Sequence, residues 1–234
     1  MCLLPVLRRL LRPLLSGLAL LCLVPGVLAD RLSFPIDVVG PYTLQVTSLK
    51  EARHLSTLRQ QYDFSCGSAA LATLLTHHYG RPVSEQAVFV AMFRAGDQAK
   101  IRREGFSLLD MKHYLAAQGY QADGFEAPLE ALEQIGIPAI TLVSENGYNH
   151  FVVVKGLRDG RVLLGDPAFG TRAMSRERFE RIAKEKILFV IRDHQDAARF
   201  NLAADWRVAP RAPIEVGLRA PLDMVQFMRS AGDF

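Results

Sequence analysis

The stretch Arg59–Leu71, RQQYDFSCGSAAL, sets one cysteine where a polar, aromatic loop runs into small and aliphatic residues of helical character. Cys66 thus stands at the start of a helix, where the positive end of the macrodipole and unpaired backbone N–H groups favour a thiolate. Gly67 and Ser68 leave the backbone open for close approach. A thiolate nucleophile needs a proton acceptor, and the acceptor needs an orienting group. His150 opens the apolar run His150–Val154, just after Gly147-Tyr148-Asn149, and Asp166 follows the run Val162–Gly165. If these runs are neighbouring antiparallel strands, the start of one and the end of the other share an edge. An aspartate there accepts from the imidazole and holds its tautomer. Position alone leaves plainer readings open: a buried structural cysteine, a capped surface histidine and a turn aspartate.

The other histidines fit less well. His77 and His78 lie on the Cys66 helix, about 16–18 Å from the thiol at the helical rise, and read as helix-surface residues. His113 falls inside a helix, and His54 and His194 lie in weakly patterned flanks. The chain has no Cys-x-x-Cys and no His-Glu-x-x-His, so neither a metal nor a cofactor is expected.

The elements around these residues read as helices first and strands later, an α+β arrangement. Helices are expected over Ser68–Tyr79, stopped by Gly80, over Glu85–Arg94 after a Ser84 cap, and over Ser107–Gln118, which opens on a capping-box variant. Ala95–Gly105 is polar and reads as a loop. Strands are expected over Tyr120–Phe125, Pro138–Val143, His150–Leu157, Arg161–Leu164 and Lys186–Arg192, with short helices over Leu129–Gln134 and Arg176–Ile182. Turns at Glu145-Asn146-Gly147 and Arg158-Asp159-Gly160 suggest an antiparallel meander. Leu32–Thr47 reads as extended, Glu51–Leu58 as a short helical turn and Pro221–Arg229 as a short amphipathic helix.

The first residues carry Arg8, Arg9 and Arg12, then the apolar run Leu14–Leu23, then Val27-Leu28-Ala29. A basic head, a short apolar stretch and a small-x-small end make a secretory signal peptide over residues 1–29. A membrane anchor is disfavoured because Pro13, Pro25 and Gly26 interrupt the run. Removing this segment takes three arginines and no acid from a chain of net charge +4. What remains is near neutral, so no nucleic-acid surface is expected, and no later run is apolar and long enough to span a membrane. Cys2 and Cys22 leave with the signal, and Cys66 has no internal disulfide partner. A lone thiol exported to an oxidising compartment is either buried and inert or used.

The segments Gln60–Leu71, His78-Tyr79-Gly80, Ser107–Met111, Asn149–Val154 and Asp166–Gly170 occur in this order. Together they resemble the papain-like cysteine peptidases that process double-glycine leaders, over about Leu58 to Asp193. The resemblance implies an α+β papain-like fold over 58–193, flanked by an N-terminal extension at 30–57 and a C-terminal one at 194–234. It implies Cys66 as nucleophile, His150 as base, Asp166 as its orienting group and Gln60, six residues before the cysteine, as oxyanion donor, with Gln61 adjacent. Many members have aspartate before the cysteine, where this chain has Ser65. Many front an ATP-driven exporter, whereas no Gly-x4-Gly-Lys-Ser/Thr loop occurs here.

The exported layout looks like the peptidase component of bacterial functional-amyloid secretion systems. On that likeness the protein is periplasmic, and its partners are a secreted substrate, such as amyloid subunits, and the export machinery. Cleavage at small-residue, Gly-Gly-like sites is a further implication. Two other readings stand beside the endopeptidase: a non-cleaving substrate-binding module of the same fold, and an acyltransferase using the same residues.

Overall fold

The computed structural model describes residues 31–34 and 42–210. The expected signal peptide at 1–29 and the expected helix Pro221–Arg229 lie outside the described residues. The chain divides into two units. The first, up to Val46, holds an antiparallel pair, β1 (Arg31–Phe34) and β2 (Tyr42–Gln45), with Arg31 opposite Gln45.

The second unit begins at Thr47 and opens with α1 (Leu49–His54), started by a Ser48–Glu51 capping box. Then comes α2 (Cys66–Thr73), continued by a π-helical segment, Leu74–His78. Three capped helices follow: α3 (Glu85–Ala95), α4 (Gln98–Glu104) and α5 (Leu108–Ala117). Ser107 and Asp110 close the capping box at α5 in both directions. The strand half begins with β3 (Ala122–Glu126), α6 (Glu130–Ile135) and β4 (Ala139–Glu145). It continues with β5 (Tyr148–Arg158), β6 (Arg161–Asp166), β7 (Gly170–Ser175), α7 (Arg176–Ile182) and β8 (Ile187–Ile191). A short α8 (Ala203–Trp206) comes last.

The six strands β3–β8 form one antiparallel sheet in the order β3-β8-β4-β5-β6-β7. The expected meander is β4 to β6, β7 extends it, and β8 returns to pair beside β4. Asn146 and Gly147 both have positive φ, as do Asp159 and Gly160. These are the two-residue turns whose twist matches paired strands, and they fix the register, with His150 opposite Val143. Strand β5 reads as a continuous apolar run because both its faces are covered. Phe151 and Val153 pack with the helices α2, α3 and α5, while Val152 and Val154 pack with Leu132 of α6 and Phe179 of α7.

Helix α4 and strand β7 depart from the sequence reading. Helix α4 occupies part of the expected loop Ala95–Gly105: Asp97 caps it, but only Ile101 of its residues is buried, so the apolar period is too sparse to see. Strand β7 was not expected, because GTRAMS is polar and begins with a glycine.

Residues on both sides of 58–193 are built into this same unit. Lys155, fully buried on β5, pairs with Asp205 of α8 at 3.0 Å and donates to the Ser56 carbonyl at 2.9 Å. Burial pushes the Lys155 amine down, and the Asp205 charge works against that. Removing either partner leaves an uncompensated buried charge, so the pair ties both flanks to the strand that carries His150. Among the described residues, no helix is long and apolar enough to cross a membrane.

His78 is fully buried rather than on a helix surface, and its Nδ1 lies 2.6 Å from the Arg199 carbonyl. Burial pushes its imidazole down from 6.5 to about 4. Between those values the unfolded chain binds the extra proton, so stability present above about pH 6.5 is lost as pH falls toward 4. The loss should be about 3 kcal/mol. Urea denaturation across that window checks it, and His78→Gln should flatten the slope.

Candidate active site

Cys66 is the first residue of α2, and Ser65 shapes the turn that delivers it. The Ser65 hydroxyl donates to the Tyr62 carbonyl at 3.0 Å and lies 3.1 Å from the Tyr62 N–H, which donates to it. Gly67 is closely packed: a Cβ there would stand 2.9 Å from the Met111 methyl and 3.0 Å from the Phe106 Cβ. The thiol is nearly enclosed, at 7% exposure. Burial pushes it up, and the N–H groups of Phe151, Gly67 and Cys66 itself pull it back only in part. The expectation of a thiol lowered by the helix end is therefore corrected. Those N–H groups do act, but desolvation of the thiolate outweighs them.

The strand edge brings the other two groups together as the topology required. His150 lies near the start of β5 and Asp166 ends the adjacent β6. The His150 Nε2 and an Asp166 carboxylate oxygen are 3.1 Å apart, with the side chains 2% and 0% exposed. The second ring nitrogen, Nδ1, is buried and has no hydrogen-bond partner. The next residue, Phe151, lies in the same core cluster as Cys66. Thus Asp166 occupies one side of the imidazole, and the strand that carries it reaches the thiol.

Asp166 is held by several donors. Its Oδ1 accepts from the N–H groups of Ala168 at 2.9 Å and Phe169 at 3.3 Å. Its Oδ2 also accepts from Arg172 Nε at 3.0 Å. Burial pushes the carboxyl up, but the His150 bond, the His150 and Arg172 charges and the Ala168 N–H together hold it below the usual carboxylate range.

Gln60 is half-buried and Gln61 exposed. The Gln60 N–H donates to the Pro167 carbonyl at 3.1 Å, so its loop is tied to the turn after Asp166. Its side-chain Nε2 donates to the Tyr62 carbonyl at 3.2 Å, and its Oε1 is buried without a partner. A groove of about 450 Å³ leads to Cys66, lined by Phe106, Leu108, Leu109, Leu142, Phe151 and Ile187 among others.

Gln60, Cys66, His150 and Asp166 all lie within residues 54–195, which match the sequence profile of the Peptidase C39 family. The chain belongs to the Peptidase C39 family. It is 44% identical over 143 residues to a Pseudomonas aeruginosa protein named probable functional amyloid protease FapD, covering 61% of this chain and 63% of that protein. A Pseudomonas fluorescens protein of the same name is 41% identical over 135 residues, covering 58% of this chain and 60% of that one. The chain therefore matches about three-fifths of the length of these relatives. The peptidase domain of Streptococcus ComA, a bi-functional ABC transporter, shares the fold with a TM-score of 0.50 at 22% identity, covering 59% of this chain and 98% of that domain. The papain-like α+β fold implied by the sequence is the one the C39 chain adopts.

Around the C39 site stand residues that sequence reasoning did not single out. Arg172 on β7 bridges Asp166, at 2.8 Å, to Glu145 at the end of β4, and Arg178 holds the other Glu145 oxygen at 3.0 Å. Glu145, His150 and Asp166 bring ligand-type atoms within 4.8 Å of one another. The guanidinium of Arg172 already lies between the two carboxylates and supplies the positive charge, so this donor set does not fit a metal. Tyr148 stacks on His150, ring centroids 5.4 Å apart at 24°, and its hydroxyl donates to the Asp63 carbonyl at 2.8 Å. The alternation of a strand gave a signal for Tyr148, two residues before His150 and so on the same face. Arg172 gave none, because it lies on the strand that was not expected.

Proposed function

We propose that the chain is a cysteine endopeptidase in which Cys66 is the nucleophile, His150 the general base and acid, Asp166 its orienting group and Gln60 an oxyanion donor. One observation carries the reading: Asp166 holds one nitrogen of a buried imidazole, while the other is buried and unpaired on the strand whose Phe151 shares a core cluster and a groove with Cys66. On attack the thiol proton passes to His150 Nδ1 as the sulfur bonds to the peptide carbonyl carbon. The carbonyl oxygen becomes an oxyanion, received by the Cys66 N–H and by Gln60 Nε2 once that group leaves the Tyr62 carbonyl. His150 returns the proton to the leaving amine, and the Asp166 carboxylate stabilises the imidazolium in between. Water then hydrolyses the thioester by the same proton route. A buried, raised thiol suits this order of events, in which the thiolate forms only as it attacks.

The substrate in this reading is an extended segment of a secreted partner with small residues, Gly-Gly-like, at the cut. The 7% exposure of Cys66 supports it, since it leaves little room beside the scissile carbonyl. The names of the two Pseudomonas relatives support an amyloid subunit as that partner, handed on to export machinery. The basic, apolar, small-x-small pattern of residues 1–29 supports export to the periplasm. Burial of the thiol also favours a second reading, a non-cleaving module of the same fold that binds an export substrate.

The rate of Cys66 alkylation by iodoacetamide as a function of pH separates the two. With His150 accepting the proton, reaction begins below the ordinary thiol range of about 8.5. In His150→Ala burial outweighs the remaining N–H groups, and the profile moves above that range. Equal profiles for the two proteins would sink the peptidase reading and leave the binding module.

A further inference from the structure

The site is assembled from two halves, the Gln60–Phe64 loop with α2 on one side and the edge of the sheet on the other. Gln60 is tied to the sheet half through its backbone bond to Pro167. Tyr148 makes the corresponding tie with a side chain. It is 46% exposed, yet both its ends are engaged, the ring on the His150 imidazole and the hydroxyl on the Asp63 carbonyl. The Asn146-Gly147 turn fixes where β5 starts, and so aims Tyr148 and His150 from one strand face.

We propose that Tyr148 is a positioning residue of this site. Its ring holds the imidazole, and its hydroxyl holds and orients the glutamine loop. The inference rests on the peptidase reading of Cys66, His150 and Gln60. Stacking limits rotation of the imidazole and shields one face from water, while Asp166 fixes its Nε2 end. The hydroxyl acts on the other half. Gln60 keeps its Nε2 on the Tyr62 carbonyl and leaves Oε1 buried without a partner, and the Tyr148 hydroxyl holds Asp63 of the same loop. A buried acceptor without a donor is costly. By holding the Asp63 carbonyl, the hydroxyl fixes the loop on which Gln60 turns its Nε2 from the Tyr62 carbonyl toward the thiol. Tyr148 thereby couples the orientation of the oxyanion donor to that of the base.

Two variants separate the ring from the hydroxyl: Tyr148→Phe removes only the hydroxyl, and Tyr148→Leu removes both. Iodoacetamide alkylates Cys66 without forming an oxyanion, whereas hydrolysis of a Gly-Gly-aminomethylcoumarin peptide forms one. Tyr148→Phe should keep its alkylation rate within about twofold and lose about tenfold in kcat at unchanged KM, less than the ~10²–10³ for deleting an oxyanion donor. Tyr148→Leu should lose about tenfold in alkylation rate at neutral pH as well, because the base is no longer held. Melting temperatures should stay level, as the side chain is half exposed.

Wild-type kcat in Tyr148→Phe overturns the hydroxyl's role. Identical alkylation by the two variants overturns the ring's role, and losses that track a falling melting temperature reduce Tyr148 to a structural residue. If the parent protein leaves the coumarin peptide uncut while its alkylation still depends on His150, the cleavage reading fails. Alkylation then decides for the ring: slower reaction in Tyr148→Leu than in Tyr148→Phe sustains it, and equal rates overturn it.

Discussion

In a Cys66→Ala variant, cleavage of a co-expressed secreted amyloid subunit should fall to background while the protein still folds. Loss of the nucleophile removes the covalent route altogether, and in comparable hydrolytic sites it costs about 10⁶-fold in kcat. The fold tolerates the change for local reasons. Position 66 is the first residue of α2, alanine is the best helix former, and the substitution only shortens a side chain already packed in the core. Intact-mass analysis of the subunit, beside circular dichroism of the variant, reads both halves of this expectation. Continued cleavage by the alanine variant would assign the activity elsewhere, and normal export of an uncut subunit in wild-type cells would favour the binding module.

Asp166→Asn should give the next largest loss, although it changes no shape. In the native site Oδ1 takes the Ala168 and Phe169 N–H groups and Oδ2 takes His150 and Arg172. The asparagine keeps one oxygen for the turn but presents an NH₂ to two donors. His150 can then accept at Nε2 only by carrying its proton on Nδ1, the nitrogen needed for the thiol proton. The wrong tautomer costs about 10⁴-fold in kcat in a related arrangement, and a loss of about 10³–10⁴ is expected here, with KM little changed. Steady-state hydrolysis of the coumarin peptide measures it. A loss under tenfold would mean that Asp166 only builds the turn.

Much of the fold was legible because its signals are local. The Ser84 and Ser107 caps, the Asn146-Gly147 and Asp159-Gly160 turns and the apolar run of β5 each announce an element through a few neighbouring residues. Helix α4 was not legible because it buries only Ile101, and strand β7 because its residues are mostly polar and begin with a glycine. Among the site residues, His150 and Asp166 could be paired from strand order alone, since the start of one antiparallel strand lies beside the end of the next. His78 was misplaced because its partners come from a C-terminal segment more than a hundred residues away.

The sequence by itself determined the order of chemistry along the chain: a cysteine at a helix start, a histidine at a strand mouth, an aspartate at the next strand's end and a glutamine six residues before the cysteine. Tertiary structure alone decided how these groups behave. Whether the thiol is raised or lowered depends on the balance between burial and helix-end N–H groups, and Cys66 is buried in a core cluster that draws Phe106, Met111 and Phe151 from distant segments. The Arg172 bridge, the Lys155–Asp205 tie and the Tyr148 clamp likewise join residues from separate segments. Their energies depend on distance and desolvation, and no local pattern encodes either one.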